Sequence, residues 1–345
     1  MNPDNDLTRQ AVGLALGGGA ARGWAHIGVI RALEEAKIRP AYVVGCSMGA
    51  LVGAAYASGV LDELERFART LTPRKVLGYI DPVVPVRGLL GGDVFDHLFT
   101  ELLGDADPNA LAMPFCAVAT DLANGAEVRL MGNLAQAVRA SCSIPGIFTP
   151  ARQGERFLVD GGLVNPVPVD VARDMGALMV IAVDLNHDIV AAPWHERRRA
   201  ANQEGWVVLG QNDDADGGGD QDKSATDDAD KGPVDKVLQG LVDLKSGIEE
   251  GIGDALEAGS QWAGRAQSRL IRAARPNIFD VIGGSIDIIE AELTAINLEK
   301  CPPDLLVQPP LGHMSLWDFA DADTAIEVGY LATQKALAGI GVPEA

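Results

Sequence analysis

The sequence predicts an α/β fold built on a parallel sheet with crossover helices, and three observations carry that expectation. Across the first half, short β-branched runs alternate with helical patterns, the order that crossover connections between parallel strands produce. The run 178–184 is apolar up to its closing Asp184, as in strands covered on both faces. The chain has 345 residues, 47% of them hydrophobic but only 5% aromatic, with 40 glycines. That is enough apolar side chain for one large core, and it suits a single α/β domain carrying an insertion.

Taken in order, Val12–Leu16 reads as a strand, 24–37 as a helix, 42–44 as a strand and Met48–Ser58 as a helix. A looser helical region runs to about Leu103, followed by strands at 115–120, 127–131, 157–159 and 178–184. From 187 to 276 the composition changes. Residues 212–230 hold eight Asp and one Lys among Gly, Ser and Ala, too polar to form a core, which predicts a solvated, disordered loop. Residues 234–274 have helical spacing, with Val234, Val237, Leu238 and Leu241 at its start, but also six glycines, which weaken a helix. After Pro276, Asn277 can cap a helix reaching about Ile296, with Ile282, Ile286, Ile289, Leu293 and Ile296 as one apolar stripe. A strand at Leu305–Val307 and a helix at 321–337 close the domain. The expected organisation is a polar tail at 1–10, a catalytic core at 11–186, an insertion at 187–276, the rest of the domain at 277–338 and a tail at 339–345.

Charge removes some classes of function. With 28 basic and 48 acidic residues, the net charge of −20 repels nucleic acid, and anionic membrane too unless a local basic patch intervenes. No nucleic-acid partner is expected. The first ten residues are polar, and no apolar run approaches the roughly 20 residues that span a bilayer, so a cytoplasmic protein is expected. Cys46, Cys116, Cys142 and Cys301 are far apart with no CxxC pair, which argues for free thiols over a disulfide framework or a zinc site.

Two glycine-rich turns carry the chemistry. Gly45-Cys46-Ser47-Met48-Gly49 lies between a predicted strand and a predicted helix. In that setting a GxSxG sequence lifts the serine oxygen out of the sheet as a nucleophile elbow, while the helix N-terminus faces the same point. Earlier, Gly17-Gly18-Gly19-Ala20-Ala21-Arg22-Gly23 leaves the first strand and opens the first helix, a setting in which backbone amides converge on an anion. A phosphate loop would need Gly-Lys-Ser/Thr at its end, and a dinucleotide loop a GxGxxG in register; neither is present. The oxyanion of a tetrahedral acyl intermediate fits better, given the neighbouring elbow.

A serine nucleophile needs a base. Of the five histidines, His187 and His195 border the insertion, His313 follows a Pro-Pro-Leu-Gly turn, and His26, behind the glycine loop, is better placed to orient it than to act as base. Asp160 ends the run Phe157-Leu158-Val159 and precedes Gly161-Gly162, so a carboxylate stands at a strand end. An Asx-turn alone would also use Asp-Gly. A Ser–Asp dyad becomes credible because glycine loop, elbow and Asp-Gly-Gly turn occur together.

Together, the segments 17–28, 45–49 and 160–162 resemble the patatin-like phospholipases, in particular the bacterial branch related to neuropathy target esterase. Ala119-Thr120-Asp121-Leu122 and the run 140–146 fit as well. The resemblance implies a three-layer α/β/α sandwich with a mostly parallel central sheet and hydrolysis of phospholipid or lysophospholipid esters without metal or cofactor. It also implies Ser47 as nucleophile, Asp160 as proton acceptor, and the amides of Gly18, Gly19 and Ala20 as oxyanion hole, with Gly17, Arg22, Gly23, Gly45, Gly49, Gly161 and Gly162 shaping the motifs. Ala20 departs from the family's usual glycine, which is harmless only at negative φ. A thioesterase or general carboxylesterase using the same dyad, and a non-catalytic lipid- or protein-binding regulator, stay open as alternatives. Arg265, Arg269 and Arg272 share one face of the 234–274 pattern. The segment either docks peripherally on an anionic membrane, which would place the protein at its inner surface, or lids the cleft, or presents that face as the solvated side of a packed helix.

Overall fold

The computed structural model describes residues 11–72, 75–76, 93–104, 110–188 and 278–340. The acidic stretch 212–230 and the pattern at 234–274 lie outside the described residues, as do 1–10 and 341–345. The strands are β1 (Val12–Leu16), β2 (Tyr42–Cys46), β3 (Phe115–Asp121), β4 (Glu127–Leu130), β5 (Ala151–Gln153), β6 (Arg156–Asp160), β7 (Met179–Val183) and β8 (Leu305–Val307). The helices are α1 (Ala25–Glu35), α2 (Met48–Ser58), α3 (Leu61–Arg69), α4 (Asp93–Leu103), α5 (Leu134–Ser141), α6 (Val169–Asp174), α7 (Ile278–Lys300) and α8 (Ala322–Gly339).

The sheet runs β5-β6-β3-β2-β1-β7-β8, with β4 also on β3. Pairs β1–β2, β1–β7, β2–β3 and β7–β8 are parallel, whereas β3–β4, β3–β6 and β5–β6 are antiparallel. A parallel centre thus carries antiparallel strands at one side. Alternation along the strands splits the core in two. Leu14, Leu16, Val43, Phe115 and Ile181 pack with α1, α2, α5 and α8 on one face, while Ala15, Val44, Val118 and Val180 pack with Val169, Val171 and Ala172 of α6 on the other. Apolar side chains on both faces require helices on both faces, which gives the three expected layers.

The predicted strands all appear. The first predicted helix appears as α1, and a 3-10 turn, Ala20–Trp24, precedes it. The loose helical region contains α3 and α4, and α5, β5 and α6 are additional. Helix α5 has its own start signal, since the Asn133 side chain accepts from the Gln136 amide at 2.9 Å, an N-cap. The apolar stripe read on α7 is only partly its buried side, with Ile282, Ile286 and Leu293 half-buried. Ile289 and Ile296 are each 44% exposed, while Glu290 and Thr294 are buried. This helix covers a polar region, so hydrophobic periodicity alone does not locate the buried face.

Helices α1 and α8 meet backbone to backbone. A Cβ on Gly28 would lie 1.8 Å from the Ile326 carbonyl oxygen, and one on Gly329 would lie 2.1 Å from that of Ala25. Two rigid helices cannot yield locally to such a clash. Gly28→Ala should therefore lower stability by about 1–3 kcal/mol, the usual cost of overpacking a tight core, read as a fall in the urea midpoint at unchanged slope.

Candidate active site

Strand β3 explains how residues 47 and 160 meet. Ala117 and Val118 pair with β2 and also with β4, and Ala119 and Thr120 pair with β4 and also with β6. A strand has two edges, so β2 and β6 share the edge opposite β4. They arrive from opposite directions: Cys46 faces Val118, and Asp160 faces Ala119. The C-terminal ends of β2 and β6 therefore abut, and the residue after Cys46 stands beside Asp160. Ser47 Oγ donates to Asp160 Oδ2 at 2.6 Å, and both residues are buried.

Ser47 has φ 53° and ψ −124°, a conformation costly to a non-glycine residue and suited to a sharp strand-to-helix turn. The flanking glycines are sterically required. A Cβ at Gly45 would sit 2.3 Å from the Gly49 carbonyl oxygen, and one at Gly49 would sit 2.2 Å from that of Leu16. The Ser47 amide donates to Ser141 Oγ at 2.9 Å, and that hydroxyl donates to the Val118 carbonyl at 2.6 Å. Ser141, at the end of α5, thus ties the elbow to β3.

Asp160 is fixed on every side. The Gly162 amide donates to Oδ1 at 2.9 Å, and the Cys46 thiol donates to the same oxygen at 3.8 Å. Thr120 Oγ1 donates to the Asp160 carbonyl, and the Asp160 amide donates to that of Ser143. Burial pushes the carboxyl up to about 6, against the opposing effect of the Ser47 and Gly162 donors. Burial also pushes the thiols of Cys46 and Cys142 well above their ordinary range, so neither forms a competing nucleophile at neutral pH.

The glycine loop corrects one expectation. The Gly17 amide donates to Val183 and the Gly18 amide to Pro166, at 3.1 and 3.0 Å. Gly18 is therefore occupied in holding the loop to the sheet and is not a free oxyanion donor. Among the described residues, the amides of Gly19 and Ala20 have no acceptor. Ala20 has φ +44°, the left-handed conformation in which a methyl group is strained, so the departure from glycine does carry a cost. His26 is fully buried and its Nε2 lies 2.8 Å from the Gly17 carbonyl. Burial lowers its pKa to about 4, so the ring is neutral and donates to that carbonyl, a loop-orienting role. His97 and His313 are exposed, and His195 lies outside the described residues.

Sequence reading missed Glu290. From α7 its buried carboxyl accepts at Oε2 from Asn186 Nδ2 at 2.8 Å. Asn186 Oδ1 accepts from Arg22 Nη1 at 3.5 Å, and Arg22 Nη2 pairs with Asp287 at 2.8 Å. Burial first, then the charges of Asp160 and Asp287, push Glu290 up to about 8. Gly162 makes room for it, since a Cβ there would lie 2.1 Å from Glu290 Oε1. The available signal was an acidic residue within the apolar spacing of Ile286 and Leu293. Among the described residues, no group of three or more His, Cys, Asp or Glu could hold a metal ion, and no helix is long and apolar enough to cross a membrane.

A glycine loop, a strained serine elbow and a strand-end aspartate on a three-layer sheet define the patatin-like class, and the family model described as patatin-like phospholipase matches residues 14–173. An uncharacterized NTE family protein of Mycobacterium tuberculosis is 33% identical over 330 residues, covering 94% of this chain and 90% of that one. The chain belongs to the NTE family of patatin-like phospholipases. Human patatin-like phospholipase domain-containing protein 6 is 36% identical over 191 residues, 52% of this chain and 14% of that protein. The crystal structure of VipD from Legionella pneumophila aligns with a TM-score of 0.39 at 14% identity, over 96% of this chain and 67% of that one.

Replacing Ala20 with glycine removes the left-handed strain. Ala20→Gly should raise stability by about 0.5–1 kcal/mol, the reverse of placing alanine at positive φ, measured as an increase in denaturant midpoint.

Proposed function

We propose that the protein is a serine lipid-acyl hydrolase that cleaves carboxylic esters of phospholipids or lysophospholipids through a Ser47–Asp160 dyad. The observation that supports it most is the 2.6 Å contact from Ser47 Oγ to Asp160 Oδ2 at a strained elbow. Direct contact matters because a carboxylate is a weak base in water, and burial strengthens it here.

Asp160 Oδ2 takes the Ser47 proton as Oγ attacks the ester carbonyl, while the Gly162 amide continues to hold Oδ1. The tetrahedral oxyanion is received by the amides of Gly19 and Ala20, each such donor contributing about 2.7–4 kcal/mol in the transition state. Asp160 returns the proton to the departing alcohol, leaving the acyl group on Ser47. Water then attacks the acyl-enzyme with Asp160 again as base, Asp160 passes that proton to Ser47 Oγ as its bond to the acyl carbon breaks, and the fatty acid leaves. His26 keeps Gly17 in place, and Ser141 keeps the Ser47 amide in place.

Labelling with a fluorophosphonate, followed by mapping of the modified residue, tests the nucleophile. Ser47 should be modified, and Ser47→Ala should abolish the label. Asp160→Asn should reduce ester hydrolysis by about 10³-fold or more, as for loss of a member of a catalytic unit. Retention of hydrolysis in both variants sinks the reading. Parallel assays on phospholipid, lysophospholipid and acyl thioester should favour the oxygen esters. Since Asp160 must be ionised to act as base, the rate should rise with pH through about 6, and a profile flat from pH 4.5 to 7 contradicts that role.

A further inference from the structure

Two buried carboxyls stand at one site, and the dyad uses only one. Glu290 reaches the glycine loop from α7. A Cβ built on Gly18 lies 3.4 Å from Glu290 Oε2 and 3.7 Å from the Ser47 Cβ, so a single loop residue separates this second carboxyl from the nucleophile.

Hydrogen bonding distinguishes the two acids. Asp160 receives the Ser47 hydroxyl, the Gly162 amide and the Cys46 thiol, and several donors favour an ionised carboxylate. Glu290 receives the Asn186 amide. The cation that acts on Glu290, Arg22, is paired with Asp287 at 2.8 Å. The charged and titratable groups facing Glu290 are then Asp160 on β6, Asp287 on its own helix, Arg22 on the loop turn and the Cys46 thiol on β2. Two of these are negative, one is a cation already paired and one is a neutral thiol. Two adjacent buried carboxyls cannot both ionise cheaply, and the donor pattern gives the charge to Asp160 and the proton to Glu290.

We propose that Glu290 is a further functional residue of this site: an uncharged acid beside the oxyanion loop, whose ionisation switches the site off by adding a negative charge where the tetrahedral intermediate gains its own. The proposal rests on the Ser47–Asp160 reading. In the neutral state the Glu290 carboxyl opposes no developing charge. In the ionised state it repels both the oxyanion and Asp160, with little solvent to screen the effect. Loss of rate at alkaline pH is thereby assigned to a residue of α7, outside the three sequence motifs.

The first test is the pH dependence of fluorophosphonate labelling and of ester hydrolysis in the full chain. The wild type should lose rate above about pH 8, whereas Glu290→Gln, which keeps shape but cannot ionise, should lose that alkaline limb. Near pH 9 the variant should react about tenfold faster than wild type, the ratio of ionised to neutral acid one unit above its pKa. Asp287→Asn removes a negative neighbour and frees Arg22, so it should move the limb to lower pH; this variant decides the matter if Glu290→Gln does not fold. A limb unchanged in either variant overturns the proposal.

An infrared titration of the carboxyl band in Ser47→Ala gives a readout independent of turnover. It should show an acid titrating above pH 7 that is absent from Ser47→Ala/Glu290→Gln, and its absence from the single variant also overturns the proposal. If Ser47 is never labelled at any pH, the dyad reading fails, and the switch fails with it whatever the carboxyl band shows.

Discussion

Everything at this site depends on the head-on meeting of β2 and β6 along one edge of β3. That arrangement is a matter of hydrogen-bond register, in which a slip of one residue turns every side chain to the opposite face. Because Cys46 faces Val118 and Asp160 faces Ala119, Ser47 and Asp160 are adjacent before any side chain chooses a rotamer. The shared edge is possible because β4 occupies the other edge of β3 along the whole junction. The antiparallel part of the sheet is therefore what delivers Asp160, while the parallel part delivers the elbow and the glycine loop.

The strained backbone follows from that junction. The chain must leave β2 within one residue so as not to collide with β6, and Ser47 absorbs the turn at φ 53°. The conformation is held by surrounding contacts: the Ser141 hydroxyl on the Ser47 amide, and close packing of Gly45 against Gly49 and of Gly49 against Leu16. Strain at one residue is stable when neighbours over-determine it.

Much of this was legible in the sequence because it is local. Apolar alternation located β1, β2, β3 and β7, and Gly45, Gly49 and Asp160 marked turns with recognisable steric demands. What was not legible depends on partners distant in sequence. Nothing near Gly18 reveals that its amide is occupied by Pro166, and nothing near Glu290 reveals Asn186, which is 104 residues away. The apolar stripe of α7 misled for a related reason. Hydrophobic spacing identifies a face but not what lies beneath it, and beneath this helix lie Gly162 and the Asn186 side chain, both against Glu290.

The glycine loop is also tied to residues that follow β8. The Ala21 amide donates to the Leu316 carbonyl, Trp24 Nε1 donates to that of Phe319, and α8 locks backbone to backbone against α1. During synthesis, strands β1 to β7 can assemble, and Ser47 can meet Asp160, while those supports are still unmade. The loop gains them only once residues 316–329 have been made. The order of the polypeptide thus separates the junction of residues 47 and 160 from the supports of the glycine loop, which come from residues 316–329.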